Sequence, residues 1–330
     1  MQICADLVYY PDSRPGIRRR RRGRGFSYTA PDGTRIADRA ERARLNALAV
    51  PPAYEGVWIS PLLNGHLQAT GRDARGRKQY RYHEDWTAFR ATSKFDCLPA
   101  FGRALPVIRR ATARVLAGEP GSQDYAIAAV VGLLDAHSLR VGSPEYAEEN
   151  RTFGATTLRS HHLRLEGDSL LLSFRGKGGT KIEERVTSKR LSRTLQAVDD
   201  LPGAELVSWL DDAGQPRAVG SERLREWLSE VAGFDVTPKT FRTWNGSLAA
   251  WAVAERPGPL TIKAMAEAAA SDLHNSPTIA QNSYVHPAIR ALTEVEEDDR
   301  LDLIGRSFDG RPPNMTATEW SMLHFIEGSE

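Results

Sequence analysis

The feature that most constrains this chain is a change of hydrophobic period near Ser93. Before it the apolar residues come in short alternating pieces: Val57-Trp58-Ile59, His66 to Thr70, and Gln79 to His83. Asn64-Gly65 and Gly71 to Gly76 separate them, and both are turn signals, so this part predicts a small antiparallel sheet. An earlier stretch, residues 36–48, has helical spacing and is expected to end by Pro51-Pro52. After Ser93 the pattern lengthens. Residues 94–118 and 122–139 read as helices, and the second, SQDYAIAAVVGLLDAHSL, is almost wholly apolar on one side, which assigns it to a core. A chain of 330 residues has room for two domains. The expectation is an α+β protein with a small, mainly β domain over residues 1–92 and a larger, mainly helical one over 93–330.

Within the second part, residues 156–165, 169–175 and 180–186 alternate and are bounded by Gly-containing turns, predicting a three-stranded antiparallel meander with Lys177 in its second turn. His161-His162 falls in the first of these strands, where consecutive side chains face opposite ways, so it is a poor metal pair. No other metal-ligand spacing occurs, and no metal site is expected. Helices are expected over 189–198, 221–232, from Pro238 onward and over 261–270. Gly142 is expected to cap the helix that precedes Arg140.

Charge narrows the partners. The formal net charge is +2, but residues 1–90 carry +8 and residues 91–330 carry −6. Most of that acidity lies in residues 291–330, read as a solvated tail. The first ninety residues are the electrostatic footprint for a polyanion. They include the run Arg18 to Arg22, which reads as a mobile charge run, a phosphate contact, or both. In the segment 71–83, Arg72, Arg75, Arg77, Lys78 and Arg81 lie beside Gln79, Tyr80 and Tyr82, so cations can meet phosphates while Gln and Tyr reach sugar or base edges. Cys4 and Cys97 cannot make a disulfide framework and fit a reducing compartment. No segment has the length of a membrane span or the form of a secretion signal. A cytoplasmic protein without a membrane partner is expected.

A tyrosine near the end of a helical domain is ordinarily a core residue. Tyr284 stands out because four distant basic residues sit where a phosphate could be held. Arg140 follows a buried helix, and Lys177 is surrounded by Gly176, Gly178 and Gly179. Lys239 and Arg242 stand three apart at a helix start, on one face and at the positive end of the helix dipole, where two cations repel unless an anion binds.

These residues lie in five motifs: GRKQYRY at 76–82, RVGSPEY at 140–146, the Gly-Lys hairpin at 176–179, KTFRTWNGSLAAW at 239–251, and NSPTIAQNSYVHP at 275–287. In that content and order the chain resembles type IB DNA topoisomerases, particularly the small poxvirus-type enzymes and their bacterial relatives, from about Val57 to Pro287. The resemblance implies that Tyr284 attacks a DNA phosphodiester to form a 3′-phosphotyrosyl link, that Arg140 and Arg242 clamp the non-bridging oxygens, and that Lys177 protonates the leaving 5′-oxygen. It implies no metal, ATP or other cofactor, a monomer acting on double-stranded DNA in the nucleoid, and two domains closing as a C-shaped clamp. It also implies DNA contacts at Gln79, Tyr80, Tyr82 and Tyr146; Arg75, Arg77, Lys78 and Lys239 are expected to contact DNA from their own charge and position. Tyr146 would otherwise be read as core.

One position departs from the family pattern. Where the family usually has histidine nine residues before the tyrosine, this chain has Asn275, preceded by His274. An amide can still donate to a phosphate oxygen but cannot titrate. Asn275 is expected to fill the role, with His274 pointing elsewhere. The rival readings are a tyrosine recombinase, which typically has histidine where this chain has Lys239, and a catalytically inactive duplex-binding protein.

Overall fold

A computed structural model describes residues 6–167, 169–305 and 308–329. Cys4, one of the two cysteines, lies outside them; Cys97 is a free thiol. The chain divides into two compact units, one ending at Ser93 and the other starting at Lys94.

The first unit is built on a five-stranded antiparallel sheet of β1 (Ile17–Arg22), β2 (Gly25–Thr29), β3 (Glu55–Ile59), β4 (Leu67–Arg72) and β5 (Lys78–Tyr82), in the order β2-β1-β3-β4-β5. The arginine run is therefore a strand. Gly23, at φ 57°, turns β1 into β2. Helix α1 (Arg39–Ala47) starts where Asp38 caps Glu41 N and stops at Ala49, at φ 47°, two residues before the prolines. Ile17, Tyr28, Leu45, Val57, Ile59 and Ala69 form its core between the helix and one face of the sheet. Helix α2 (Glu84–Asp96) begins earlier than its sequence suggests and contains the unit boundary.

The second unit is mainly helical, and its centre is α4 (Gln123–His137), which follows α3 (Leu98–Val115). Ser122 caps α4, and Tyr125 to Val131, Leu133 and Leu134 are all buried, so the helix is enclosed on every side rather than on one. It ends at Ser138, in the left-handed region at φ 51°, not at Gly142. Gly142 serves a close approach instead: a Cβ there would lie 2.6 Å from Thr157 Oγ1. Next comes α5 (Pro144–Asn150), then the meander β6 (Leu163–Glu166), β7 (Ser169–Arg175) and β8 (Lys181–Val186). Its first strand begins late, because residues 160–162 form a 3-10 turn; His161 and His162 are in that turn, not in a strand. Among the described residues no group of three or more His, Cys, Asp or Glu is placed to hold a metal ion.

The chain continues through α6 (Lys189–Asp199), the small hairpin β9 (Ser208–Leu210) and β10 (Pro216–Ala218), α7 (Ser221–Ala232), α8 (Pro238–Ala254), α9 (Ile262–Leu273), α10 (Pro277–Tyr284) and α11 (Pro287–Ala291). The acidic end is not a solvated tail. It folds into α12 (Glu297–Ile304) and α13 (Ala317–Gly328), and Met322, Leu323 and Ile326 of α13 are fully buried in the main core. Buried Glu319 accepts from Arg109 at 2.7 and 3.0 Å and from Thr316 N at 2.7 Å, so part of the acidity is internal pairing. No described helix is long and apolar enough to cross a membrane.

Candidate active site

The second unit gathers three of its loop and helix ends around Arg242. Helices expose unpaired carbonyls at their C-termini, where the helix dipole is negative. Arg242, on α8 and 3% exposed, donates from Nη1 to the carbonyl of Ser138, past the end of α4. From Nη2 it donates to the carbonyl of Leu273, the last residue of α9, at 2.8 Å. Ser138 is fixed in turn: its Oγ donates to Asp272 Oδ2 at 2.7 Å and accepts from Asn245 Nδ2 at 2.9 Å. Burial holds the Asp272 carboxyl above its ordinary range, against the pull of Ser138 and nearby cations. Arg242 Nε is buried and has no hydrogen-bond partner among the described residues.

Arg140 reaches the same place from the loop after α4. Its carbonyl accepts from Ala155 N at 2.8 Å, and Val141 O accepts from Thr156 N at 2.8 Å, which ties this loop to the next one. The Arg140 Nη2 donates to Asn275 Oδ1. Arginine has only donors, so the amide oxygen must face it and Asn275 Nδ2 must face away. That Nδ2 is buried and has no partner among the described residues. His274, which ends α9 at φ 50°, turns to Glu184 of β8, with Nε2 3.4 Å from Oε1. Glu184 also holds His137 Nδ1 at 2.8 Å. One carboxylate thus steadies the neighbours in sequence of both Ser138 and Asn275.

Tyr284 is the last residue of α10 and is 9% exposed. Its carbonyl accepts from Ser247 Oγ at 3.0 Å, and the same Oγ accepts from His286 N at 3.0 Å. Gly246 lies directly beneath: a Cβ there would be 2.9 Å from Tyr284 Cβ. The Arg242 guanidinium carbon lies 5.1 Å from the centre of the tyrosine ring, and Lys239 Nζ lies 6.0 Å from it. Burial alone would push the phenol pKa up, but Arg242 and then Lys239 and Arg140 outweigh it and hold it below the ordinary value. Arg140 is held below its own ordinary value by burial and by repulsion from Arg242. None of Arg140, Lys239 and Arg242 has a described acidic ion-pair partner. A cluster of this kind is suited to hold an anion beside an ionisable phenol.

Of the residues singled out by sequence, Arg140, Lys239, Arg242, Asn275 and Tyr284 come together here. Lys177 does not touch them. It is exposed on the 3-10 turn between β7 and β8, next to Gly178 and Gly179 at φ 79° and 80°. Tyr146, on α5, is 49% exposed, so it is a surface residue and the core alternative does not hold.

In the first unit, Tyr80 and Tyr82 are 52% and 44% exposed and stack with ring centres 6.1 Å apart. Lys78 pairs with Asp12 at 2.6 Å, and Arg77 with Asp73 at 2.8 Å; Arg75 is exposed in the turn. Gln79 faces the opposite side of the sheet from the tyrosines and donates to Asp73 Oδ2 at 3.1 Å.

Several supporting residues escaped the sequence reading. Gly246 and Ser247 are one pair; an Asn-Gly-Ser run inside an apolar helix, against propensity, is the signal that could have found them. Glu184 gave no signal in a strand of alternating charges. Lys94 is another: its Nζ donates to Asn282 O at 3.3 Å on the tyrosine helix, and burial, with repulsion from Lys239 and Arg290, brings its pKa down to about 8.

Comparison with known proteins places this arrangement. Residues 25–73 match the family described as bacterial DNA topoisomerase IB, N-terminal domain, and residues 83–259 match eukaryotic DNA topoisomerase I, catalytic core. The second match includes Arg140, Lys177, Lys239 and Arg242 but stops short of Asn275 and Tyr284. The chain is similar to DNA topoisomerase 1B of Acanthamoeba polyphaga mimivirus, 28% identical over 237 residues, 71% of this chain and 70% of that protein. It is also similar to DNA topoisomerase 1B of vaccinia virus, 24% identical over 271 residues, 77% of this chain and 80% of that one.

Proposed function

The chain belongs to the type IB DNA topoisomerases, and from that membership we propose the roles of its residues: Tyr284 as nucleophile, Arg140, Arg242 and Asn275 as the phosphate clamp, and Lys177 as general acid. The observation that carries this is the buried phenol of Tyr284, set beside Arg242 and Lys239 and held below its ordinary pKa by three cations with no carboxylate partner among the described residues. The tyrosine oxygen attacks phosphorus, the bond to the 5′-oxygen breaks, and Lys177 gives that oxygen its proton. In the pentacoordinate transition state negative charge grows on the non-bridging oxygens. The uncommitted donors, Arg242 Nε and Asn275 Nδ2, are suited to receive it. Fixed guanidinium groups take the part that a metal ion plays in many nucleases, so neither a metal nor ATP is required. The phosphotyrosyl bond conserves the energy of the phosphodiester, and the freed 5′-hydroxyl reseals the strand after the duplex has swivelled.

General-acid catalysis by a positioned group contributes roughly 10²–10⁴-fold. Lys177, exposed on a glycine turn, meets the leaving oxygen once duplex is bound. Lys239 supports the phenolate, and Tyr80, Tyr82, Tyr146, Lys78, Arg75 and Arg77 contact the duplex, while Gln79, on the other face and bonded to Asp73, braces the turn that carries Arg75 and Arg77. The protein acts as a cytoplasmic monomer, since a swivel needs one active site on one strand. The test is a labelled duplex mixed with protein and denatured. Label should stay covalently attached to the wild type and not to Tyr284→Phe; an adduct that survives in Tyr284→Phe would remove the nucleophile from this position.

A further inference from the structure

The arginine run of β1 has no part in the site around Tyr284, and the sheet register gives it one. Side chains alternate along a strand, and residues paired across antiparallel strands share a face. Arg18 pairs with Trp58, Trp58 with Thr70, and Thr70 with Tyr80. Arg18, Arg20 and Arg22 therefore stand on the same side of the sheet as Lys78, Tyr80 and Tyr82. The other side is the core face, and there Arg19 is committed. It donates to the carbonyls of Val50 at 2.6 Å, Pro51 at 2.8 Å and Tyr54 at 3.1 Å, and its guanidinium lies 4.2 Å from the Phe26 ring. By contrast, the side chains of Arg18, Arg20 and Arg22 are exposed and have no hydrogen bond or ion pair among the described residues. Strand β3 follows β1 only at Ile17 and Arg18. Beyond them β1 and β2 continue as a two-stranded ribbon to the turn at Gly23.

We propose that this ribbon is a DNA arm whose Arg18, Arg20 and Arg22 contact alternate phosphates along one strand of the bound duplex, extending the face that carries Tyr80 and Tyr82. Alternate residues of a strand are spaced about 6.8 Å, roughly twice the 3.4 Å axial spacing of phosphates along one strand of a duplex. Charged side chains on an exposed ribbon also discourage strand-to-strand aggregation. That role alone predicts no effect on DNA affinity. The inference rests on duplex DNA being the substrate.

The test is equilibrium binding of the full chain to a linear duplex between 50 and 200 mM salt. Each phosphate left without its cation lowers the slope of log affinity against log salt by about 0.9. Replacing Arg18, Arg20 and Arg22 together by Gln should lower it by about 2.7, making the salt-induced loss of affinity over that range roughly 40-fold smaller. Arg20→Gln alone should lower it by about 0.9, which reads the arm even if the triple variant folds poorly. Arg21→Gln, the same change on the other face, should leave it unchanged. An unchanged slope in Arg20→Gln, or an equal fall in Arg21→Gln, overturns the arm. Denaturing the same samples reports the covalent adduct. If the wild type forms none, the reading of Tyr284 fails while the salt slopes still decide the arm.

Discussion

Asn275→Ala removes two interactions at once: the Oδ1 that accepts from Arg140, and the buried, unpartnered Nδ2 donor. A preorganised donor to developing transition-state charge is worth about 2.7–4 kcal/mol, so cleavage should slow by about 10²–10³-fold. Arg140 loses its anchor as well, which puts the alanine variant at the larger end. Asn275→Asp keeps an acceptor for Arg140 but loses the donor and adds a negative charge beside the phosphate, so it should be at least as slow. Asn275→His restores a donor and should recover much of the rate. His274→Ala removes only a 3.4 Å contact with Glu184. Burial holds the imidazole below its ordinary pKa, so the contact is that of a neutral ring with a carboxylate, worth about 0.5–1.5 kcal/mol net, and its effect should stay within about tenfold. The assay is single-turnover cleavage at saturating protein, which removes differences in binding. If His274→Ala abolishes cleavage while Asn275→Ala leaves it intact, the phosphate donor is His274 and the assignment is wrong.

Gly246→Ala should leave stability within a few kcal/mol, since overpacking costs about 1–3 kcal/mol against about 1 kcal/mol of helix propensity gained. By displacing Tyr284, it should still slow cleavage by about 10²-fold; a wild-type rate would show that the close approach does not matter. Glu319→Ala takes two bonds from Arg109, which keeps its pair with Asp135, and should cost about 1–3 kcal/mol in denaturant unfolding. Burial opposes ionisation of Glu319, but Arg109 holds its pKa below the ordinary 4.5. The ionic part of the stabilisation should therefore be full above pH 4.5 and lost as pH falls through the folded value, narrowing the gap between wild type and variant in acid. Lys94, at about 8 against an ordinary 10.5, binds fewer protons when folded, so its contribution to stability should rise between those pH values. Lys94→Met should lack that slope, and parallel stability curves would contradict the assignment.

The main elements were legible because their periods are plain: the apolar α4, the meander around Lys177, and the helix that carries Arg242. The short helix that ends at Tyr284 was not. What was hidden lies where side chains act against type. The run Arg18 to Arg22 has no apolar alternation, yet it is a strand because Ile17 is buried and Arg19 donates to the carbonyl of Val50 with its guanidinium over the Phe26 ring. The acidic end looked solvated because its charge conceals the helical stripe of Trp320, Leu323 and Ile326. Helix α4 ends at Ser138, a residue seldom found at positive φ, because its hydroxyl and carbonyl are both held by the site. The site's principal cations and its tyrosine could be named from the sequence. Of their supports, Glu184 and Lys94 meet them only through tertiary packing, across separations that no local pattern reports, while Gly246 and Ser247 show only as small residues inside an apolar helix.

The most direct measurement is relaxation of supercoiled plasmid in EDTA without ATP, comparing the wild type with Tyr284→Phe. Complete relaxation by the wild type and none by the variant is the predicted result. Relaxation that persists in Tyr284→Phe, or that requires a divalent metal or ATP, would contradict a swivel driven by this tyrosine and its arginine clamp.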